Sequence, residues 1–363
     1  MSISRLDIYN VRNIQNQTIT PSSTLNFIYG KNASGKSALI EAIFLLGRAK
    51  SFRTSNIKSV IRFNQEHLIV AAQLQQNGVT QQLGIQLDGK DVEIHINQQR
   101  CQNRSELAYA LPLQIVHPKS FELLDSGAQV RREFMDWGIF NDDQRFLPEW
   151  RKYKKALLQR NAALKKKAVD QLDVWNSELV KYGTIVNRYR EQYIQKFKPI
   201  LIETVQRLIS LINVDVRLVT GWDANRNLLD HLIEDLERDL RDGFTHNGPH
   251  RDDFQLSISE KMAKDVVSRG QLKLLVICLK LAQVELIFRE KGTFSCILLD
   301  DFAAELDKQT RAKILSFLNN LNCQVFITAT EKQDFGDLTL FKNYKLFHVE
   351  QGEIQLDDVP RGT

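Results

Sequence analysis

The sequence has no long apolar run and few cysteines, and each shortage narrows what the chain can be. No stretch approaches the roughly 20 apolar residues that span a bilayer, and residues 1–20 mix charged and polar side chains throughout. A membrane span and a secretory leader are therefore not expected. The four cysteines, Cys101, Cys278, Cys296 and Cys323, are scattered, with no C-x-x-C pair and no histidine at metal-ligand spacing. Cys278, Cys296 and Cys323 lie in apolar stretches, which reads as buried, reduced thiols and makes the cytoplasm the default compartment. Low-complexity tracts and internal repeats are also missing.

What is present begins with size and charge. At 363 residues with 43% hydrophobic content, the chain exceeds one comfortable core, so two or more lobes are expected. The net charge of +5 is unevenly spread: from Arg151 to Lys198 there are thirteen Lys or Arg against four acids, a local +9. A basic segment of this size favours a polyanionic partner, nucleic acid before an anionic membrane, unless it is simply a solvated helix face.

One motif carries chemistry on its own. The apolar run Leu25-Asn26-Phe27-Ile28-Tyr29 is followed by Gly30-Lys31-Asn32-Ala33-Ser34-Gly35-Lys36-Ser37 and then by the helical run Ala38 to Ile43. This is a phosphate-binding loop in the strand–loop–helix setting it requires. Its glycines let backbone N–H groups close around a polyphosphate, Lys36 reaches the β- and γ-phosphates, and the Ser37 hydroxyl is placed to hold Mg²⁺. A bound nucleoside triphosphate is expected.

Between His67 and Val116, alternating strands around Asp88-Gly89-Lys90 predict a small antiparallel β lobe. From about Ala128 to Gly243 the period is helical. One stripe starts at Trp150, Tyr153 and Leu157, with Leu164 and Ala168 extending it; another runs through Tyr182, Ile185, Tyr189, Tyr193, Phe197, Ile200 and Leu201. An antiparallel helix pair turning near Val169-Asp170-Gln171 would bury both. Aromatics at this spacing are more often packing than platforms for bases. The polar loop Thr245 to Asp253 is too rich in special residues for a plain connector.

A phosphate loop needs a carboxylate at the tip of a neighbouring buried strand. Cys296-Ile297-Leu298-Leu299-Asp300-Asp301 supplies it, with Asp300 positioned for Mg²⁺ through water and Asp301 for orienting or deprotonating the attacking water. Upstream, Ser268-Arg269-Gly270-Gln271 opens a long apolar helix, either as a second anion site or as a plain Ser cap.

The order of phosphate loop, long insertion, Ser-x-Gly-Gln, Asp-Asp strand, Ala304-Glu305-Leu306-Asp307 and the strand Gln324 to Thr330 resembles ATP-binding-cassette (ABC) proteins of the structural-maintenance-of-chromosomes (SMC) branch. The match sharpens to the RecF family of bacterial recombination mediators. It is carried by Lys50-Ser51-Phe52-Arg53-Thr54, by His117-Pro118-Lys119 with Arg131 to Asp136, by Gly248 to Asp253, and by Ser268 to Leu275. The resemblance implies an α/β fold: an ABC-type ATPase head with a mixed sheet (residues 1–125 plus 244–363, the antiparallel β lobe at 67–116 within it) and an inserted, short coiled-coil-like helical lobe (126–243). It further implies a weak, Mg²⁺-dependent, DNA-stimulated ATPase that forms an ATP-dependent homodimer, with Ser268, Gly270 and Gln271 of one subunit meeting the γ-phosphate held by Lys36 of the other.

By the same resemblance the protein acts at single-strand gaps and stalled replication, on double-stranded DNA at single-strand junctions, with RecR and RecO to load RecA. DNA contacts are expected at basic groups such as Lys152, Lys154, Lys155, Lys165, Lys166 and Lys167. Three departures stand out. Ala33 sits where the family usually has Gly, which would strain the loop if φ is positive and lower nucleotide affinity. Asp301 replaces the Glu of transporters, and Thr328 or Thr330 replaces their switch His; both point to slow hydrolysis. Arg12 and Arg53 could reach nucleotide or DNA, with surface salt bridging the commoner role for such residues; His250 and Arg251 either couple the helical lobe to the ATP site or cap a turn. The alternative from another class is the nucleotide-binding subunit of a membrane transporter.

Overall fold

The computed structural model describes residues 1–357, apart from 77, 90, 210, 224, 293–295, 304, 305 and 322. Its contacts divide the chain into two units, Met1–Ser120 with Ile287–Thr363, and Phe121–Leu286.

The first unit holds two six-stranded sheets. One runs in the order Glu353–Leu356, Tyr344–Glu350, Leu25–Tyr29, Val325–Ala329, Cys296–Leu299, Leu113–Val116. All its neighbours are parallel except the edge hairpin formed by the last two strands of the chain. Its central strands are apolar runs because both faces are covered: Cys296, Ile297, Leu298 and Leu299 are all buried. Val325–Ala329 lies between Leu25–Tyr29 and Cys296–Leu299, with Ile327 opposite both Phe27 and Leu299. The phosphate loop after Tyr29 and the acids after Leu299 therefore emerge at the same sheet end.

The other sheet is antiparallel, in the order Ile14–Ile19, Ser2–Val11, Leu68–Gln76, Val79–Leu87, Val92–Ile96, Gln99–Cys101. It takes in the first two strands of the chain, whereas Leu113–Val116, expected at the end of this lobe, runs parallel to Cys296–Leu299 instead. Leu113, Gln114 and Ile115 are buried in succession, the pattern of a two-sided strand rather than an alternating one. The helix Lys36–Arg48 lies between the sheets. It shares a core with Ile8, Val70 and Ile85 of the antiparallel sheet and with Leu298, Phe326 and Phe347 of the parallel one, which explains why it is buried nearly all round.

In the second unit the helices Phe146–Lys166 and Leu172–Ile209 pack along each other about the turn Val169–Gln171, where the sequence places it. Tyr153, Leu157, Leu164, Tyr193, Phe197, Ile200 and Leu201 are buried as packing, while Trp150, Ala168, Tyr182, Ile185 and Tyr189 stay half-buried at the rim. A three-stranded antiparallel sheet, Val214–Val219, Asp253–Ile258 and Lys261–Met262, completes the unit.

The unit boundaries fall at 120/121 and 286/287, where the sequence places lobe boundaries at 125 and 243. Residues 244–286 group with the helices because their polar groups are consumed there. Arg131 forms a two-pronged bridge to Asp253 (2.7 and 2.9 Å), and Gln283 donates to the Phe134 carbonyl (2.8 Å) and the Tyr193 hydroxyl (2.9 Å).

Two of the thirteen basic residues counted from Arg151 to Lys198 are internal. Arg160, fully buried, donates to Asn176 Oδ1 (2.7 Å), Asp239 Oδ2 (2.6 Å) and Thr245 Oγ1 (2.7 Å); Arg190 bridges Asp136 and Asp252. Charged groups are buried here only because each has several partners. Cys278, Cys296 and Cys323 are buried free thiols, as their apolar neighbours predict.

Candidate nucleotide site

The loop Gly30–Ser37 is shaped by three backbone constraints. Gly30 passes so close to the strand Tyr344–Glu350 that a Cβ would stand 2.1 Å from the Val349 carbonyl oxygen. Gly35 has φ 123°, a conformation that side chains resist, and it precedes the first residue of the helix Lys36–Arg48. Ala33 has φ 64°, so the residue that replaces the usual Gly does sit in the left-handed region. That helix starts without a side-chain cap and without an acid in its first turn, leaving its positive end open for an anion.

The side chains are held in a closed set. Lys36, almost buried, curls over its own loop and donates from Nζ to the carbonyls of Gly30 (2.6 Å) and Lys31 (2.9 Å). Burial lowers its pKa from the ordinary lysine value, against the pull of Asp301 and Asp300. Ser37 Oγ donates to Asp300 Oδ1 (3.0 Å), and Thr328 Oγ1 donates to the same oxygen (2.9 Å). Burial pushes the Asp300 carboxyl up, the two hydroxyls pull it back, and the neighbouring Asp301 charge adds to the rise. Asp301 is exposed, has φ 57°, and is fixed by its own N–H donating to Thr328 Oγ1 (2.8 Å). Thr328 thus positions both acids. Ser34 Oγ is buried with no hydrogen-bond partner among the described residues, an orphaned group in a loop that lines a small depression with Arg12, Asn13 and Arg53.

Sequence reasoning missed the support for this loop. The Asn13 side-chain amide donates to the Ser34 carbonyl (3.0 Å) and, more weakly, to that of Ala33 (3.4 Å), and the Gly352 N–H also donates to Ser34 O (2.7 Å). Arg12, beside it, makes a two-pronged bridge to Glu41 (2.8 and 3.0 Å), which is fully buried on the helix after the loop. The one available signal is Glu41 itself, an acid within the apolar run Ala38 to Leu46. Arg53 is exposed at the edge of the depression.

Ser268, Arg269, Gly270 and Gln271 are all exposed. Gln271 N–H donates to Ser268 Oγ (3.3 Å) and Ser268 N–H donates to Gln271 Oε1 (3.0 Å), a reciprocal capping box at the start of the helix Arg269–Lys291. Of the motif Ala304 to Asp307, Ala304 and Glu305 lie outside the described residues, while Asp307 caps the helix Lys308–Asn320 by accepting from Thr310 N–H (2.9 Å). Lys152, Lys154, Lys155, Lys165, Lys166 and Lys167 are exposed, at or near the helix Phe146–Lys166; Lys152 pairs with Glu149 (2.9 Å). His250 donates from Nε2 to the Thr245 carbonyl (2.9 Å), so its Nδ1 accepts from the Tyr153 hydroxyl (2.6 Å) and the ring is neutral; burial pushes its pKa down to about 4.

A parallel sheet carrying a phosphate loop and an Asp-Asp tip, with a Ser-x-Gly-Gln turn opening a long helix, defines an ABC-type ATPase head of the SMC kind. Residues 2–355 match the RecF/RecN/SMC N-terminal domain, and the chain belongs to that family, in its RecF branch. It is 39% identical to the DNA replication and repair protein RecF of Pseudomonas aeruginosa (strain LESB58) over 98% of this chain and 97% of that one. Its identity to RecF of Stutzerimonas stutzeri (strain A1501) is 38% over the full length of both. Among solved structures, the recombination mediator protein RecF with ATP, of the RecFOR pathway, superposes with a TM-score of 0.87 at 27% identity, covering 98% of each chain. An Smc head bound to the C-terminal winged-helix domain of ScpA shares the fold (TM-score 0.59, 16% identity, 99% of this chain and 98% of that one).

Proposed function

We propose that this chain is an ATP-binding recombination mediator that dimerises on DNA when ATP is bound and releases it after slow hydrolysis. The observation that carries the reading is the closure of one oxygen set, Ser37 Oγ, Asp300 Oδ1 and Thr328 Oγ1, at the open end of the helix that follows the phosphate loop. The loop N–H groups and the orphaned Ser34 hydroxyl take phosphate oxygens, and Lys36 exchanges its two loop carbonyls for the β- and γ-phosphates. The hydroxyl of Ser37 and the carboxylate of Asp300 are hard oxygen donors and fit Mg²⁺, which would neutralise phosphate charge when bound. Asp301, exposed and held at its backbone by Thr328, orients or deprotonates the attacking water.

Ser268, Gly270 and Gln271 act on the nucleotide of a second copy; their full exposure and prebuilt helix N-terminus support a role outside their own chain. DNA is held through phosphates, with the exposed lysines of the helix Phe146–Lys166 as contacts. The relatives named for replication and repair, and the solved mediator of the RecFOR pathway, support action at single-strand gaps with RecR and RecO, upstream of RecA. They leave the transporter alternative without support, and among the described residues no helix is long and apolar enough to cross a membrane. The test is ATPase rate and sedimentation with Mg²⁺ and ATP, with and without duplex, single-stranded and gapped DNA. Stimulation and dimerisation by a gapped duplex are expected; indifference to every DNA would refute the reading.

A further inference from the structure

In the first unit, the segment from Lys50 to Glu66 carries four cations, Lys50, Arg53, Lys58 and Arg62, against one acid, Glu66. None of the four forms a salt bridge with a carboxylate among the described residues, although the Arg53 charge acts on Asp300. Phe63, next to Arg62 in this segment, is 87% exposed. A single exposed apolar side chain is ordinary on a protein surface. What sets this one apart is how firmly it is presented. Phe63 occupies a turn closed by Gln65 N–H donating to the Arg62 carbonyl (3.1 Å), with Asn64 in the left-handed region at φ 61°. The turn is tied to the first strand by Arg62 N–H to the Asn10 carbonyl (2.9 Å) and by the Asn10 amide to the His67 carbonyl (3.3 Å). The Arg62 guanidinium donates to the Asn13 carbonyl (2.7 Å), and Asn13 in turn holds the phosphate loop.

We propose that this turn is a single-strand contact: Phe63 stacks on an unpaired base, and Lys58, Arg62 and their neighbours hold the flanking phosphates. Cations alone would serve duplex and single strand alike, because phosphates carry no strand information. An exposed aromatic ring, borne on a hydrogen-bonded turn in a cationic segment, matches the one surface that a duplex hides and a gap offers, the face of a base. The hydrogen-bonded turn lowers the backbone entropy lost when the ring stacks. The inference rests on the DNA-binding reading above and adds to it the strand state that is recognised.

The test is equilibrium binding with Mg²⁺ and ATP to a blunt duplex, a gapped duplex of equal length and a single strand, with 2-aminopurine in the gap to report stacking. Wild type, Phe63→Ala, Phe63→Trp and Lys58→Gln are compared. Phe63→Ala should lose gapped-DNA affinity by about tenfold, keep duplex affinity within about twofold, and abolish the quenching of 2-aminopurine. Phe63→Trp should restore both. Lys58→Gln should weaken every DNA and flatten the salt dependence. Wild-type binding that ignores all DNA would remove the mediator reading and this contact together. Wild-type binding to DNA with Phe63→Ala unchanged on the gapped duplex would overturn only the contact, and loss of a protein partner alone in that variant would reassign the ring to a protein interface.

Discussion

Ser37 and Asp300, 263 residues apart in sequence, are joined by a 3.0 Å hydrogen bond from hydroxyl to carboxylate. The bond spans the phosphate loop and the tip of the strand Cys296–Leu299, with Thr328 on the strand between them donating to the same oxygen. Three parallel strands from both ends of the chain thus build one site, while residues 121–286 form a unit of their own.

Asp300→Asn should separate binding chemistry from stability. Burial raises the Asp300 carboxyl above its ordinary value, so its ionised form is disfavoured in the folded state at neutral pH. An amide keeps a carbonyl oxygen for Ser37 and Thr328 while removing the charge. The melting temperature of the nucleotide-free variant should match or exceed that of wild type by a few degrees, whereas stabilisation by ATP with Mg²⁺ should disappear in thermal-shift titrations. A large loss of stability without nucleotide would contradict this account.

Ala33→Gly tests where the strain in the loop resides. An alanine at φ 64° carries roughly 1 kcal/mol of strain that glycine lacks. Because the loop holds that conformation already, relief should be shared by the free and bound states. Stability should shift by less than about 1 kcal/mol, since glycine also loosens the unfolded chain, and the ATP dissociation constant should stay within about twofold. A tenfold tightening by calorimetry would mean that the loop leaves this conformation when free. Asn13→Ala should instead weaken ATP binding by about three- to tenfold, the worth of one loop hydrogen bond.

Ser268→Asp separates capping from catalysis in trans. Asp is as good a helix cap as Ser, so the bond from Gln271 N–H is retained and monomer stability should hold within about 0.5 kcal/mol. The new carboxylate would face the γ-phosphate of a partner. ATP binding to the monomer should be unchanged, while ATP-dependent dimerisation in ultracentrifugation and turnover should vanish. Weaker binding by the monomer would place Ser268 in its own nucleotide site.

Much of this site was legible because its chemistry is local in sequence: the loop, its strand and its helix are contiguous, and an apolar run ending in Asp-Asp reads as a central strand. What could not be read was whatever depends on partners far away in the chain. Asn13 and Gly352 meet the loop only through the fold. The strand Leu113–Val116 reads in sequence as part of the antiparallel lobe because four residues are too few to show two-sided burial. Arg160 and Arg190 read in sequence as partner-facing charge, although Asp239, Asp136 and Asp252 neutralise them inside the second unit. Helical period does not distinguish a buried paired cation from a solvated one.

His250 should make the second unit acid-sensitive. Its folded pKa of about 4 lies below the ordinary 6.5, because burial disfavours the imidazolium and the charges of Arg251, Arg132 and Lys154 repel it, against the pull of the Thr245 carbonyl. The unfolded chain therefore takes up the proton first as pH falls, so this stability is complete above pH 6.5 and is lost progressively towards pH 4, by about 3 kcal/mol at most. His250→Gln keeps a donor for the Thr245 carbonyl and cannot titrate. At pH 7.5 the variant should be less stable than wild type by about 1–3 kcal/mol for the Tyr153 partner it loses. Urea titrations at intervals from pH 7.5 to 4.5 should show that deficit shrinking steadily below pH 6.5, since other groups titrate equally in both proteins. A deficit that stays constant over this range would show that the ring titrates alike in the folded and unfolded chains, and one that grows as pH falls would show that the ring is protonated in the folded state.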